Sequence, residues 1–187
     1  MMPRYVITGG LGTGKTSVLA VLRHQFETIA EPARELIAEH RAATGEPGLD
    51  RRPEQFLQRL VSRSIEKYHS ASESGVTIFD RGLPDCVAYA RALGANPEPV
   101  FEVAAAYRYA APVFVAPPWR EIYARDDMRR ATFAESEAFY SYAMAAYTRL
   151  GYETIQLPKT SVEERAAFVS DHVSYGHNEL TFDREDV

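Results

Sequence analysis

The most informative segment of this sequence is Gly9-Gly10-Leu11-Gly12-Thr13-Gly14-Lys15-Thr16. It matches the spacing of a phosphate-binding loop, in which a glycine is followed after four residues by Gly-Lys and then Ser or Thr. A short apolar strand over residues 4–8 precedes the segment, and an apolar helix that begins at Lys15 follows it. This strand–loop–helix order predicts a P-loop at residues 9–16 rather than a glycine-rich turn that binds nothing.

The composition of the loop fits the chemistry of a nucleoside triphosphate. Glycines allow positive φ angles and a close approach of the backbone to an anion, so that successive N–H groups converge on it. The first turn of the next helix adds its positive dipole end. Lys15 can reach the β- and γ-phosphates, and the Thr16 hydroxyl can bind Mg²⁺. We therefore predict that residues 9–17, which end at Ser17, bind ATP and Mg²⁺.

Short apolar runs alternate with segments of helical periodicity along the rest of the chain. The predicted strands are residues 4–8, 27–30, 76–79, 112–116 and 154–157. Right-handed crossovers between parallel strands place helices on both faces of one sheet. The predicted fold is therefore α/β, a three-layer P-loop NTPase fold with a mainly parallel, about five-stranded sheet flanked by helices. Ligands of such folds bind beyond the carboxyl ends of the strands.

The domain organisation follows from chain length and helix signals. A chain of 187 residues is typical of one domain. Capping boxes at Thr132 with Glu135 and at Ser161 with Glu164 predict the starts of the last two helices, and an earlier helix is predicted over residues 97–109. We assign residues 1–175 to the P-loop NTPase or kinase-like domain and residues 176–187 to a polar C-terminal tail.

Composition excludes several classes of protein. The net charge of −5 argues against a general nucleic-acid-binding protein. The single cysteine, Cys86, cannot form an internal disulfide, which fits a reducing compartment. The sequence shows no secretory pattern and no apolar run of the ~18 residues that span a bilayer, so we expect a cytoplasmic protein without a membrane partner. The oligomeric state stays open.

An acidic residue closes the third predicted strand. Residues 76–79 are apolar and lead directly to Asp80 and Arg81. A P-loop enzyme needs a carboxylate near Mg²⁺, so a metal role for Asp80 is favoured over a simple cap of the next turn. Arg81 either holds an anionic or hydroxyl group of a second substrate or forms a surface ion pair with Asp85, and spacing alone leaves both open.

Glu31 follows the second predicted strand and lies on the same rim of the sheet. A carboxylate there can accept a proton from a substrate hydroxyl as a general base. It can equally stabilise the start of the next helix electrostatically. Arg34 lies one turn later and can contact a substrate or pair with Glu31.

A charged segment, residues 117–131, separates the fourth predicted strand from the next helix. It contains Arg120, Arg125, Arg129 and Arg130, with Asp126 and Asp127 among them. Arginines on a mobile lid would neutralise charge on a transferred phosphate and exclude water on closing. The alternative is a solvated mixed-charge face. Because the segment follows a strand end on the ligand rim, we favour a lid, with Arg129 as the first candidate and Arg125 and Arg130 behind it.

Together these motifs resemble the NadR-like AAA-type P-loop ATP-binding family, which is related to the ribosylnicotinamide kinase part of NadR proteins. The matching segments are Ile7 to Thr16, Glu31-Pro32-Ala33-Arg34, Phe79 to Asp85, Pro117-Pro118-Trp119 and Asp126-Asp127-Met128-Arg129. The strand-end motifs also look like those of deoxynucleoside and thymidylate kinases.

The resemblance implies a catalytic set. It places Glu31 as the base for an acceptor hydroxyl, Asp80 near Mg²⁺, and Arg81 with Arg129 as clamps for phosphate or substrate, beside Lys15. Residues 44–68, where such kinases bind the nucleoside, carry no obvious base-stacking signature, so the acceptor is not defined.

Three functions compete. The leading hypothesis is a small-molecule kinase that uses ATP, Mg²⁺ and a nucleoside-like acceptor. The second is an ATP hydrolase or nucleotide-dependent switch that acts with a protein partner. The third is a GTP-binding switch, which is disfavoured because the sequence has no Asn-Lys-x-Asp or Thr-Lys-x-Asp motif for reading guanine.

Overall fold

The computed structural model describes residues 2–46, 52–123 and 131–182, with side chains up to residue 174 in the last range. Within these ranges one sheet is formed by β1 (Arg4–Gly9), β2 (Glu27–Ile29), β3 (Thr77–Asp80), β4 (Val113–Ala116) and β5 (Thr154–Gln156). The strand order is β2-β3-β1-β4-β5, and every pairing is parallel. The predicted parallel sheet is confirmed.

Helices cover both faces of this sheet. The described helices are α1 (Lys15–Leu22), α2 (Pro32–Thr44), α3 (Pro53–Ser70), α4 (Leu83–Ala92), α5 (Glu98–Ala105), α6 (Phe133–Arg149) and α7 (Val162–Phe182), with a short 3₁₀ turn at Arg120–Ile122. No helix within the described ranges has the length and apolar character needed to cross a membrane.

The central strand explains the three layers. Side chains alternate between the two faces of a strand, and in β1 all of Tyr5, Val6 and Ile7 are buried. Tyr5 and Ile7 pack in the apolar cluster to which α1 and α7 contribute. Val6 packs in a second cluster, to which α2, α3 and α4 contribute. A strand that is apolar on both faces therefore sits in the middle and is covered on both sides.

The position of β1 also places the P-loop. Strand β1 pairs with β3 on one side and β4 on the other, with Ile7 opposite Asp80 and Gly9 opposite Ala116. The segment that follows β1 therefore leaves the sheet between the ends of its two neighbours. This is the rim at which parallel α/β sheets bind ligands.

Two helix ends differ from the sequence-based expectation. The helix predicted over residues 97–109 ends at Ala105. Tyr107 and Tyr109 both contact the ring of Tyr68, with ring centres 5.1 and 5.3 Å away. Residues two apart do not share a helix face, so the chain must leave the helix for both rings to reach Tyr68. At the other end of the chain, the backbone of α7 continues past residue 175 to Phe182.

Both predicted capping boxes are present. Thr132 Oγ1 accepts from Glu135 N at 3.2 Å, while Thr132 N donates to the Glu135 carboxylate at 2.6 Å. The Ser161 pair repeats this exchange, with distances of 3.2 and 3.1 Å. The start of α6 and of α7 is therefore fixed by local sequence.

Candidate active site

The P-loop rests directly on the end of β4. Gly9, Gly12 and Gly14 adopt positive φ angles of 132°, 68° and 77°. A Cβ atom at Gly9 would lie 2.0 Å from the carbonyl oxygen of Ala116. Gly10 N donates to that same oxygen at 3.2 Å. Only glycine therefore allows β1 to turn into the loop this close to its neighbouring strand.

Lys15 lies buried within the loop. Its Nζ donates to Gly10 O at 2.6 Å and to Thr13 Oγ1 at 3.4 Å. Burial lowers the pKa of Lys15 to about 7, and the nearby Arg81 acts in the same direction. The ammonium group is thus held by a neutral carbonyl, a weaker partner than a phosphate oxygen.

Thr16 and Asp80 form the pair that the sequence predicts at a metal site. Thr16 Oγ1 donates to Asp80 Oδ2 at 2.9 Å. Asp80 is buried, and its Oδ1 has no hydrogen-bond partner among the described residues. Burial and the neighbouring Glu31 carboxylate raise the pKa of Asp80. An unused buried carboxylate oxygen beside a hydroxyl fits Mg²⁺, which takes oxygen ligands from one or two carboxylates and from phosphates.

Arg81 links Glu31, which follows β2, to Gly9 at the start of the P-loop. Its Nε donates to Glu31 Oε1 at 2.8 Å, and its Nη1 donates to Gly9 O at 3.0 Å and to Asp85 Oδ1 at 2.8 Å. The ion pair with Asp85 exists, but it is buried rather than on the surface. Arg81 also has a φ of 70°, which is rare for a residue with a side chain and is retained here by these three bonds.

Glu31 accepts three side-chain hydrogen bonds beside the P-loop. Besides Arg81, Tyr89 donates its hydroxyl to Oε1 at 2.7 Å, and Arg34 donates Nε to Oε2 at 3.0 Å. Burial alone would raise the pKa of Glu31, but the cations Arg81, Lys15 and Arg34 outweigh it and lower the pKa to about 2. Glu31 is therefore ionised throughout the neutral range.

Sequence reasoning missed the role of Asp85 as a hub. Its Oδ1 accepts from Thr8 Oγ1 at 2.6 Å, and its Oδ2 accepts from Gly82 N at 3.0 Å and from Tyr147 OH at 2.7 Å. The position of Asp85 in the first turn of α4 was a usable signal for the bond to Gly82. The contact with Tyr147 in α6 was not, because it spans distant parts of the chain.

Aromatic rings surround the Glu31–Arg81 pair. The guanidinium carbon of Arg81 lies 4.5 Å from the ring centre of Phe139. The ring centre of Tyr89 lies 4.8 Å from that of Phe139 and 6.0 Å from that of Phe56. Of these three rings, only Phe56 lies within residues 44–68. The fold brings the other two rings from α4 and α6.

A separate cavity of about 490 Å³ borders the outer side of the P-loop. Its lining consists of Gly12, Gly14, Thr16, Ser17, Trp119, Ile122, Thr160, Ser161, Val162 and Arg165. Ser17, which was predicted to take part in ATP binding, is one of these lining residues. Arg165, on the last helix, was not singled out in the sequence and is the second residue that sequence reasoning missed.

The predicted lid is only partly described. Arg125, Asp126, Asp127, Arg129 and Arg130 lie outside the described residues, so their roles stay predictions. Arg120 is described, and its guanidinium carbon lies 4.2 Å from the ring centre of Phe133. Tyr123 also covers the loop, because a Cβ at Gly12 would lie 2.8 Å from the Tyr123 ring.

The sequence was compared with protein families and with curated proteins. A family model described as an AAA domain matches residues 4–165. No curated protein matches the chain.

Three similar solved structures are a thymidylate kinase, a deoxyadenosine kinase and a NadR protein. Thymidylate kinase from Candida albicans is 13% identical with a TM-score of 0.64, covering 95% of this chain and 93% of that one. Deoxyadenosine kinase from M. mycoides with bound dATP is 11% identical with a TM-score of 0.68, covering 91% and 99%. The NadR protein in complex with NAD and AMP-PNP is 15% identical with a TM-score of 0.70, covering 92% of this chain and 50% of that one. This chain thus spans about half of that NadR protein, and identities this low establish a shared fold.

Proposed function

Because this chain belongs to the AAA domain family, we propose that it binds ATP and transfers the γ-phosphate, with Mg²⁺, to a hydroxyl group of a small nucleoside-like acceptor. The observation that carries this proposal is the pairing of two charged centres on one rim. The first is the P-loop with Thr16 and Asp80. The second is the buried Glu31–Arg81 ion pair, which lies beside the first and consists of two charged groups that are not part of the P-loop motif.

At the donor end, Lys15 exchanges its carbonyl partner for the β- and γ-phosphates of ATP. Thr16 and Asp80 Oδ1, which has no hydrogen-bond partner among the described residues, would hold Mg²⁺. Bound Mg²⁺ neutralises charge on the phosphates and on the developing transition state. The loop amides stabilise the same charge with little reorganisation, because the positive φ angles of the loop glycines and the bond from Gly10 N to Ala116 O already fix the loop backbone.

At the acceptor end, Glu31 receives the hydrogen bond of the attacking hydroxyl. With a pKa of about 2, Glu31 is a weak proton acceptor in the ground state. In a loose phosphoryl-transfer transition state the nucleophile needs little deprotonation before attack. Glu31 therefore orients the hydroxyl first and takes the proton as the oxygen–phosphorus bond forms and the bond to ADP breaks. Arg81 keeps Glu31 ionised and in position.

The surroundings of Glu31 support a ring-bearing acceptor. Tyr89, Phe139 and Phe56 pack edge to face near the carboxylate, and of these three rings only that of Tyr89 is partly exposed. A partly exposed aromatic ring favours contact with a planar partner, and solved structures with this fold are named as kinases of deoxyadenosine and thymidylate. We assign Arg129, with Arg125 and Arg130, to a lid over residues 117–131 that closes on the phosphates.

The decisive experiment measures ADP formation from ATP and Mg²⁺, with and without pooled acceptors. The pools contain nucleosides, nicotinamide riboside, nucleoside monophosphates or short sugars, and the Lys15→Ala variant serves as the blank. A rate that rises with one pool identifies the acceptor class. Turnover that ignores every acceptor would instead favour the ATP hydrolase or switch, and the search would move to protein partners.

A further inference from the structure

Arg165, in the first turns of α7, lies against the P-loop. The residue is 2% exposed. Its Nη2 donates to Thr13 O at 2.9 Å. Its Nη1 lies so close to Gly14 that a Cβ there would be 2.9 Å from it. The last helix of the domain therefore places a fixed cation beside the loop.

Within the described part of the chain, this cation has no counter-charge of the kind that burial normally requires. Among the described residues no carboxylate pairs with Arg165, and its Nε has no hydrogen-bond partner. Arg81, which is buried to a similar extent, is paired with both Glu31 and Asp85. Burial lowers the pKa of Arg165. A buried cation with one neutral acceptor is costly, so an anionic ligand would supply what this guanidinium lacks.

The space next to Arg165 has room for such a ligand. The 490 Å³ cavity is bordered by Arg165, by Gly14 and Ser17 of the loop, and by Trp119. The guanidinium carbon lies 6.0 Å from the Trp119 ring centre. Lys15 points the other way along the loop, toward Gly10. Arg165 and Lys15 therefore flank different ends of the phosphate-binding segment.

We propose that Arg165 is a binding residue for the donor nucleotide, contacting the phosphate nearest the nucleoside while the adjoining cavity takes the nucleoside. The inference rests on the ATP binding of the proposed function but not on phosphoryl transfer. It makes two claims that a purely structural arginine would not satisfy. Arg165 should stabilise phosphate-bearing ligands, and it should not stabilise the free protein.

The test is calorimetric titration of the full chain with ADP and with inorganic tripolyphosphate, using wild type, Arg165→Met and Arg165→Lys. Trp119 is the only tryptophan of the chain and borders the cavity, so its emission gives a second binding signal. Arg149→Met is the matched control, because Arg149 forms an exposed pair with Glu98 away from the cavity. Thermal melts without ligand accompany each titration.

We expect Arg165→Met to lower the affinity for both ADP and tripolyphosphate on the order of 10- to 100-fold, the range for the loss of a hydrogen bond to a charged group. The affinities of Arg165→Lys should lie between those of Arg165→Met and wild type, and the affinities of Arg149→Met should equal those of wild type. The ligand-free Arg165→Met protein should melt at or above the wild-type temperature. Unchanged ADP affinity in Arg165→Met, or a lowered melting temperature with unchanged tripolyphosphate affinity, would overturn the inference. Wild type that binds no ADP would overturn it together with the proposed function, whereas binding without transfer would leave it standing.

Discussion

Three charged side chains of the site, Lys15, Glu31 and Arg81, are almost completely buried, and each shifts the protonation equilibrium of the others. Arg81 lowers the pKa of Lys15 and of Glu31 alike. The consequence is a site in which the carboxylate is firmly ionised while the lysine is close to losing its proton at neutral pH. A phosphate ligand adds negative charge, and we expect this charge to raise the pKa of Lys15 more than it changes the ionisation of Glu31.

Proton uptake should therefore accompany ATP binding. Lys15 has a folded-state pKa of about 7, so it is mostly neutral at pH 8, and bound phosphates raise its pKa. Affinity should fall as pH rises through this range. Calorimetry at pH 8 in two buffers with different ionisation enthalpies measures the uptake, which we expect to approach one proton. Lys15→Arg keeps its charge and should show none. Equal heats in both buffers for wild type would contradict the shift.

Glu31→Gln should separate binding from chemistry. The variant keeps the P-loop, so ATP affinity should change less than ~2-fold. Transfer should slow ~10²- to 10⁴-fold, the range for loss of a general base. The comparison needs the kcat of each variant with the acceptor that the pooled assay identifies. Glu39→Gln is the control, because Glu39 lies on the same helix in an exposed pair with Arg63. Full activity of Glu31→Gln would reject the role.

At the scale of whole elements, helices α4 and α6 together fix the surroundings of the Glu31–Arg81 ion pair. Asp85 of α4 bonds to Tyr147 of α6, and Phe139 of α6 covers Arg81. Ser136, also in α6, donates to Leu11 O in the P-loop at 2.7 Å. Helix α6 is thus hydrogen-bonded both to the P-loop and, through Asp85, to the Glu31–Arg81 pair. A shift of α6 would therefore change the positions of residues in both centres.

The features that could be predicted from the sequence are those set by residues close together in the chain. The P-loop, the strand ends at Glu31 and Asp80 and both capping boxes depend on neighbours in sequence, and each pattern predicted them. The contacts of Asp85 with Tyr147 and of Arg165 with Thr13 join residues 62 and 152 positions apart. No local pattern encodes such distances. The end of α5 at Ala105 likewise depends on Tyr68, a residue in another helix.

Tyr147→Phe tests the bond between α4 and α6. Removing the hydroxyl leaves Asp85 Oδ2, which is buried, with Gly82 N as its one hydrogen-bond donor among the described residues. We expect the free energy of unfolding to fall by ~1.5–3 kcal/mol, as for a lost hydrogen bond to a charged group. Urea denaturation measures the change. Tyr140→Phe, which removes an exposed hydroxyl from the same helix, should cost under ~0.5 kcal/mol. Equal stability of the two variants would show that the buried bond contributes little.

At the scale of the whole molecule, the sheet is assembled around one strand. Strand β1 carries side chains into both apolar clusters, and its end is shared between the P-loop and the neighbouring strands. The site and the core therefore depend on the same segment. Gly9 is the point at which the two requirements meet, because it ends β1 and begins the loop.

Gly9→Ala should consequently damage the whole fold rather than the loop alone. The added methyl would overlap the Ala116 carbonyl oxygen, at a φ of 132° that alanine rarely adopts. Strain and overpacking together should cost more than ~3 kcal/mol of unfolding free energy. Gly94→Ala is a matched control, since Gly94 has a φ of 70° but a methyl group added there would meet no atom within 4 Å, and it should cost ~1–2 kcal/mol. Similar melting temperatures for the two variants would refute this.

The bond from Arg165 to Thr13 also bears on how the protein is made. The two residues are 152 positions apart, so the loop leaves the ribosome long before the arginine that completes the proposed binding site. Domains fold as units and long-range contacts form late. A nascent chain with its first four strands exposed would carry every residue of the phosphate loop and still lack the cation that α7 contributes. Nucleotide capture should therefore begin only after α7 has been translated.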